Sequence, residues 1–114
     1  MTTFQEREQA FEAKFAHDEE FRFLVTARRD KLFAQWVAER LGLSGQASAD
    51  LTASILAVRD GAGHDEALLQ HVAQAFSDHR SNAAQAELAT ALHQCAVQAQ
   101  RQLLEMPPKT PAIF

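Results

Sequence analysis

Hydrophobic positions recur at helical spacing through most of the chain, but the arc they cover changes from segment to segment. At 100° per residue, Phe4, Phe11 and Phe15 fall within roughly 40° of one another, whereas a core-facing helix shows an apolar arc of ~100° or more. Glu6, Arg7, Glu8, Glu12 and Lys14 surround this narrow seam. Spaced aromatic anchors on a polar helix suit a peptide laid into a partner's groove. Packing on the chain's own body is the alternative reading, because a helix this short is marginal in isolation. Thr3 and Glu6 have the form of a capping box, which predicts a helix starting near Phe4.

Phe21 is out of phase with the first seam by about a quarter turn, which places a joint at His17-Asp18. Asp18 can cap a second helix with Glu19 and Glu20 in its first turn, where the helix dipole favours acids. That helix carries two apolar stripes, Phe21, Val25, Leu32 and Trp36 on one side and Phe23, Phe33, Val37 and Leu41 on the other, so it should sit centrally. Gly42 supplies a left-handed stop. A third helix, capped at or near Ser48, presents Ala47, Leu51, Ile55 and Val58. Asp60-Gly61-Ala62-Gly63 is a break, and Leu68, Leu69, Val72 and Phe76 define a fourth helix beyond it. The last helix, capped by Ser81 or Asn82, shows Leu88, Ala91, Leu92, Cys95, Ala99 and Leu103, and Pro107-Pro108 ends it before an extended tail. Alternating strand patterns are nearly absent. The expected class is therefore all-α: a four-helix bundle with an additional N-terminal helix, loosely docked or projecting.

At 114 residues the chain is sized for one domain with a modest core, and its four Gly and three Pro leave little material for turns. Charge is unevenly spread: residues 1–20 carry a net −4 and residues 21–41 a net +3, within −4 for the whole chain. This is not the basic field of a nucleic-acid binder. No apolar run approaches the ~20 residues of a membrane span, the N-terminus lacks a secretory pattern, and the single Cys fits a reducing cytoplasm.

Candidate chemistry is sparse. The His residues are dispersed, and His64-Asp65-Glu66 lacks the second His that a zinc protease helix requires, so it reads as a solvated loop and helix start. His79 reads as a boundary residue, Cys95 as an inert thiol on an apolar face, and Gly61 and Gly63 as turn residues. No nucleophile elbow or phosphate loop is present, so no residue pattern supports catalysis, and no metal or resident cofactor is expected. Arg22, Arg28, Arg29, Lys31 and Arg40 form the densest charge feature. They read either as the solvated rim of a central helix or as an anion site, although they cannot all face one ligand.

The run Arg7-Glu8-Gln9-Ala10-Phe11-Glu12-Ala13-Lys14-Phe15-Ala16-His17-Asp18-Glu19-Glu20-Phe21-Arg22-Phe23 is followed by Ala27-Arg28-Arg29, Trp36 and Leu41-Gly42-Leu43-Ser44-Gly45. Together these words closely resemble the bacterial ATPase inhibitor subunit zeta family. Gly63-His64-Asp65-Glu66 with Leu68 is similar to that family's acidic loop, whereas Ala84-Gln85-Ala86-Glu87-Leu88-Ala89 is less basic than the family's last helix tends to be.

The resemblance implies a non-enzymatic regulator of the F-type ATP synthase, cytoplasmic and peripheral to the inner membrane through that complex. Residues 1–17 would be the inhibitory helix, 18–106 the bundle and 107–114 the tail. The helix would enter the catalytic head between catalytic and non-catalytic subunits near the central rotor. Phe4, Phe11 and Phe15 would be apolar anchors, with Arg7, Glu8, Glu12 and Lys14 in polar contact. With the resemblance, docking outweighs self-packing as the reading of the seam. Adenine nucleotide is a secondary ligand by the same resemblance, with Arg28 and Arg29 as candidates. The alternatives are a ligand-sensing bundle and a relative that does not inhibit.

Overall fold

The computed structural model describes residues 19–105. The Phe4–His17 helix, its Thr3–Glu6 box, the His17-Asp18 joint and the tail with Pro107-Pro108 lie outside the described residues. Within them the chain is all-helical, with four helices and no strand. These are α1 (Glu19–Arg40), α2 (Gly45–Leu56), α3 (His64–Asp78) and α4 (Gln85–Leu104). Helices α1 and α2, α2 and α3, α3 and α4, and α4 and α1 pack as neighbours, with α1–α4 the most extensive of these contacts.

At 1.5 Å per residue the 22 residues of α1 span about 33 Å. Glu19 and Glu20 lie in its first turn and Arg40 in its last, each on the side the helix dipole favours. Gly42, at φ 71°, ends the helix as expected. Its N–H donates to the Glu39 carbonyl and that of Leu43 to the Ala38 carbonyl, the paired reverse bonds of a Schellman stop.

The buried set confirms most of the expected faces. Phe33 and Val37 of α1, Leu51 and Ile55 of α2, Leu68, Val72 and Phe76 of α3, and Leu88, Ala91, Leu92, Cys95 and Ala99 of α4 are buried. Phe33 stacks on Trp36 with ring centroids 5.9 Å apart, and Trp36 meets Phe76 across the body.

Three expectations are corrected. Phe23, placed on an inner stripe of the second helix, is 61% exposed. No residue of α1 before Asp30 is buried, so the apolar period of its first half is not matched by a buried face. The buried arc instead takes in Ala34 and Ala38, while Phe21, Val25, Leu32 and Trp36 are half-buried at its margin. Second, α2 starts at Gly45 behind Ser44 rather than at Ser48, because the Gly42 stop already turns the chain. Ala47 is exposed in that first turn, together with Gln46.

Third, α4 is capped by Ala84, not by Ser81 or Asn82. Ser81 is committed to the preceding helix: its N–H donates to the Phe76 carbonyl, and that of Arg80 to Ser77, a second Schellman stop. Arg80 occupies the left-handed position at φ 55°, where Gly42 sits in the equivalent turn of α1. A side chain there costs roughly 1–2 kcal/mol, part of which glycine returns through its freer unfolded chain. Arg80→Gly is therefore expected to raise the free energy of unfolding by about 0.5–1 kcal/mol, read by urea denaturation; a loss of stability would contradict this account.

Candidate functional site

The described surface divides into a closed body and the open first half of α1. Phe23 and Leu24 stand exposed on that half, the latter at 48%. Beside Phe23 a cleft of about 400 Å³ is walled by Arg22, Thr26 and Arg29 of α1, by Asp60 and Gly61, and by His64 and Asp65 of α3.

Three residues of the cleft wall, Arg29, His64 and Asp65, form a polar cluster with Asp30. The Arg29 Nε donates to Asp30 Oδ1 at 2.9 Å, and its Nη1 and Nη2 form a fork on Asp65 at 3.3 and 2.9 Å. Asp30 Oδ2 meets His64 Nε2 at 2.7 Å, and His64 Nδ1 meets the Arg59 carbonyl at 2.8 Å. Both Asp30 and His64 are buried, the imidazole at 9% exposure. The cluster joins α1 to α3 across the body, and it ties both to the turn between α2 and α3.

Two opposite charges packed among two others explain the electrostatics. Burial by itself would make Arg29 easier to deprotonate, but the bonds to Asp65 and the charge of Asp30 outweigh it and hold the guanidinium more firmly protonated than usual. Burial likewise works against a charged His64. The Arg59 carbonyl and then Asp30 overcome that penalty and the repulsion of Arg29, and the imidazole pKa is raised.

His64 is thus buried rather than solvated, although it does stand at the helix start that its sequence context suggested. It is the first residue of α3, behind Gly63 at φ 79°, and it lies one turn before buried Leu68 and two before Val72. That phase was readable in the sequence. So was Asp30, which falls three, four and seven residues before Phe33, Ala34 and Val37 on the core-facing arc. A carboxylate on an apolar arc requires a partner, and sequence spacing alone does not identify it.

Arg28 and Arg29 are not brought together. Arg28 Nη1 donates to Gln102 of α4 at 2.9 Å, on a different side of the helix from the Arg29–Asp65 fork. Arg22, Lys31 and Arg40 are exposed. Arg40 pairs with Glu87 and lies over the Trp36 ring at 5.0 Å, which links the end of α1 to the start of α4. Phe4, Arg7, Glu8, Phe11, Glu12, Lys14 and Phe15 lie outside the described residues. His79 is an exposed helix-end residue bonded through Nδ1 to the Ala75 carbonyl. Cys95 is buried, and burial pushes its thiol pKa up despite the opposing charge of Arg29, as the apolar context implied.

Among the described residues no group of three His, Cys, Asp or Glu side chains is arranged to hold a metal ion. None of the described helices is long and apolar enough to cross a membrane.

Residues 1–102 match a family model described as ATPase inhibitor subunit zeta. Neither a curated protein nor a solved structure matches the chain.

Proposed function

The chain belongs to the ATPase inhibitor subunit zeta family, and from that premise we propose that it is a non-enzymatic regulatory subunit that suppresses ATP hydrolysis by the F-type ATP synthase. The match over residues 1–102 carries this reading, because it takes in the aromatic seam as well as the helical body. In the proposal, residues 4–17 dock as a helix between catalytic and non-catalytic head subunits near the rotor. The remainder forms a four-helix bundle that holds this helix in place. Phe4, Phe11 and Phe15 supply the apolar anchors, and Arg7, Glu8, Glu12 and Lys14 the polar rim.

A rotary machine passes through several states, and a ligand arrests it by binding one of them far more tightly than the rest. A helix wedged between subunits that must separate during rotation meets this condition, since rotation would expose the buried Phe rings to water. The open first half of α1 supports the arrangement. The segment that precedes Glu19 joins the body at the end of α1 that is not committed to the core. The protein then acts in the cytoplasm, at the inner membrane only through the synthase. Adenine nucleotide, as a secondary ligand of Arg28 and Arg29, would have to displace Gln102 and Asp65 from the two guanidiniums.

The test is ATP hydrolysis by the purified synthase head stripped of its own zeta subunit, titrated with the intact chain and with a form lacking residues 1–17. Among the described residues every buried side chain lies between Asp30 and Ala99, so the shortened form keeps the whole described core. The expected result is inhibition by the intact chain alone. Equal inhibition by both forms would move the inhibitory surface onto the body, and no inhibition by either, with both folded, would overturn the reading.

A further inference from the structure

The two ring nitrogens of His64 face oxygen atoms that only accept. Nδ1 lies 2.8 Å from the Arg59 carbonyl and Nε2 lies 2.7 Å from Asp30 Oδ2. A neutral imidazole carries one N–H and one lone pair, so it can satisfy one of these contacts and must set its lone pair against an oxygen in the other. A doubly protonated ring satisfies both. The second proton could instead reside on the Asp30 carboxyl, but Arg29 already donates to Asp30 Oδ1 and sets a permanent positive charge 2.8 Å from that oxygen. The proton between the two residues therefore belongs on the ring.

The position of the pair gives this charge a mechanical consequence. The extensive helix contacts run around the body from α1 to α2, α3, α4 and back to α1. Across it, the Asp30–His64 pair and the Arg29–Asp65 fork tie α1 to α3, beside the Trp36–Phe76 ring contact. The same imidazole holds the Arg59 carbonyl, and so the turn that enters α3 through Gly61 and Gly63.

We propose that His64 stands in the folded protein as an imidazolium that latches α1 to α3 and to the turn at residues 57–63, and that loss of its proton as pH rises opens the latch. On opening, one ring N–H bond breaks and the proton passes to water or buffer base. The nitrogen left with a lone pair then faces an acceptor oxygen, and that contact must separate.

The charged and titratable groups around the ring act in both directions. From α1, Asp30 stabilises the cation and Arg29 opposes it, with Arg22 on the wall of the same cleft. From the turn, Asp60 Oδ1 lies 3.9 Å from Nδ1, beside the Arg59 carbonyl. Asp65 follows His64 in α3 and is held by Arg29, and Cys95 of α4 feels the charge of that same guanidinium. The balance raises the folded-state pKa above the ordinary value. A base raised in this way contributes its full stability below its unfolded pKa, about 6.5, and loses it as pH climbs through the higher folded value. The folded-to-unfolded ratio then falls by about tenfold for each unit by which the pKa is raised.

The experiment is a ring-nitrogen NMR titration of the full chain, with His64→Gln used to assign the resonance, alongside urea unfolding from about pH 6 to pH 9, a window in which ordinary carboxylates do not titrate. The expected result is two protonated ring nitrogens near neutral pH and a folded-to-unfolded ratio that declines toward the alkaline end. Asp30→Asn removes the anion and should lower the His64 titration and flatten that decline. A lone-pair nitrogen on His64 near neutral pH would overturn the proposal, as would the same pH profile in the wild type and Asp30→Asn. The wild-type ring titration decides the matter even if Asp30→Asn does not fold.

Discussion

Replacing Phe33 by Ala, which truncates the largest fully buried side chain of the described residues, is expected to lower the free energy of unfolding by about 3–5 kcal/mol. Phe33 is fully buried and stacks on Trp36, which in turn meets Phe76 and carries Arg40 over its ring. The substitution forfeits the transfer energy of the ring and leaves a void between α1 and its neighbours that the close-packed interior fills only in part. Small domains have about 5–15 kcal/mol of stability in total, so the variant should be partly unfolded at moderate urea concentrations that leave the wild type intact. A loss below about 1 kcal/mol would mean that the core closes over the site and that Phe33 is not its keystone.

The second large effect concerns activity rather than stability. The combined variant Phe4→Ala, Phe11→Ala, Phe15→Ala is expected to raise the concentration needed for half-inhibition of ATP hydrolysis by roughly a thousandfold. Each buried Phe side chain contributes on the order of 1.5–3 kcal/mol, and three neighbouring anchors add up to less than their sum; about 4 kcal/mol for the set corresponds to that factor. Unfolding of the body should be unchanged, because every buried residue among the described ones lies at or beyond Asp30. Undiminished potency would place the docking energy elsewhere, with exposed Phe23 and Leu24 as the next residues to replace. The pair of variants separates two tasks: Phe33 tests what holds the body together, and the three Phe of the N-terminal seam test what stops the synthase.

Much of this protein was legible because its helices are regular and their apolar residues recur in phase. The face of α4 from Leu88 to Ala99, the α3 face from Leu68 to Phe76 and the Gly42 stop all follow from local spacing and from the freedom of glycine at positive φ. The narrow Phe4–Phe11–Phe15 seam was equally clear as a pattern, and its family match extends from residue 1 to residue 102. Helix starts were less legible. A hydroxyl or amide side chain is only one way to begin a helix, and Ser81 was already engaged in closing the helix before it.

The sequence by itself determined the four described helices, most of their inward faces and the family, since each depends on residues close together along the chain. Only the tertiary structure decided that Phe23 stands exposed, that Arg28 and Arg29 reach different helices, and that Asp30 meets His64 across 34 positions. The reason is physical. Periodicity fixes which side chains share a face, but whether a face is covered, and whether a buried carboxylate finds a cation, depends on how far the neighbouring helices extend and which of their residues stand opposite.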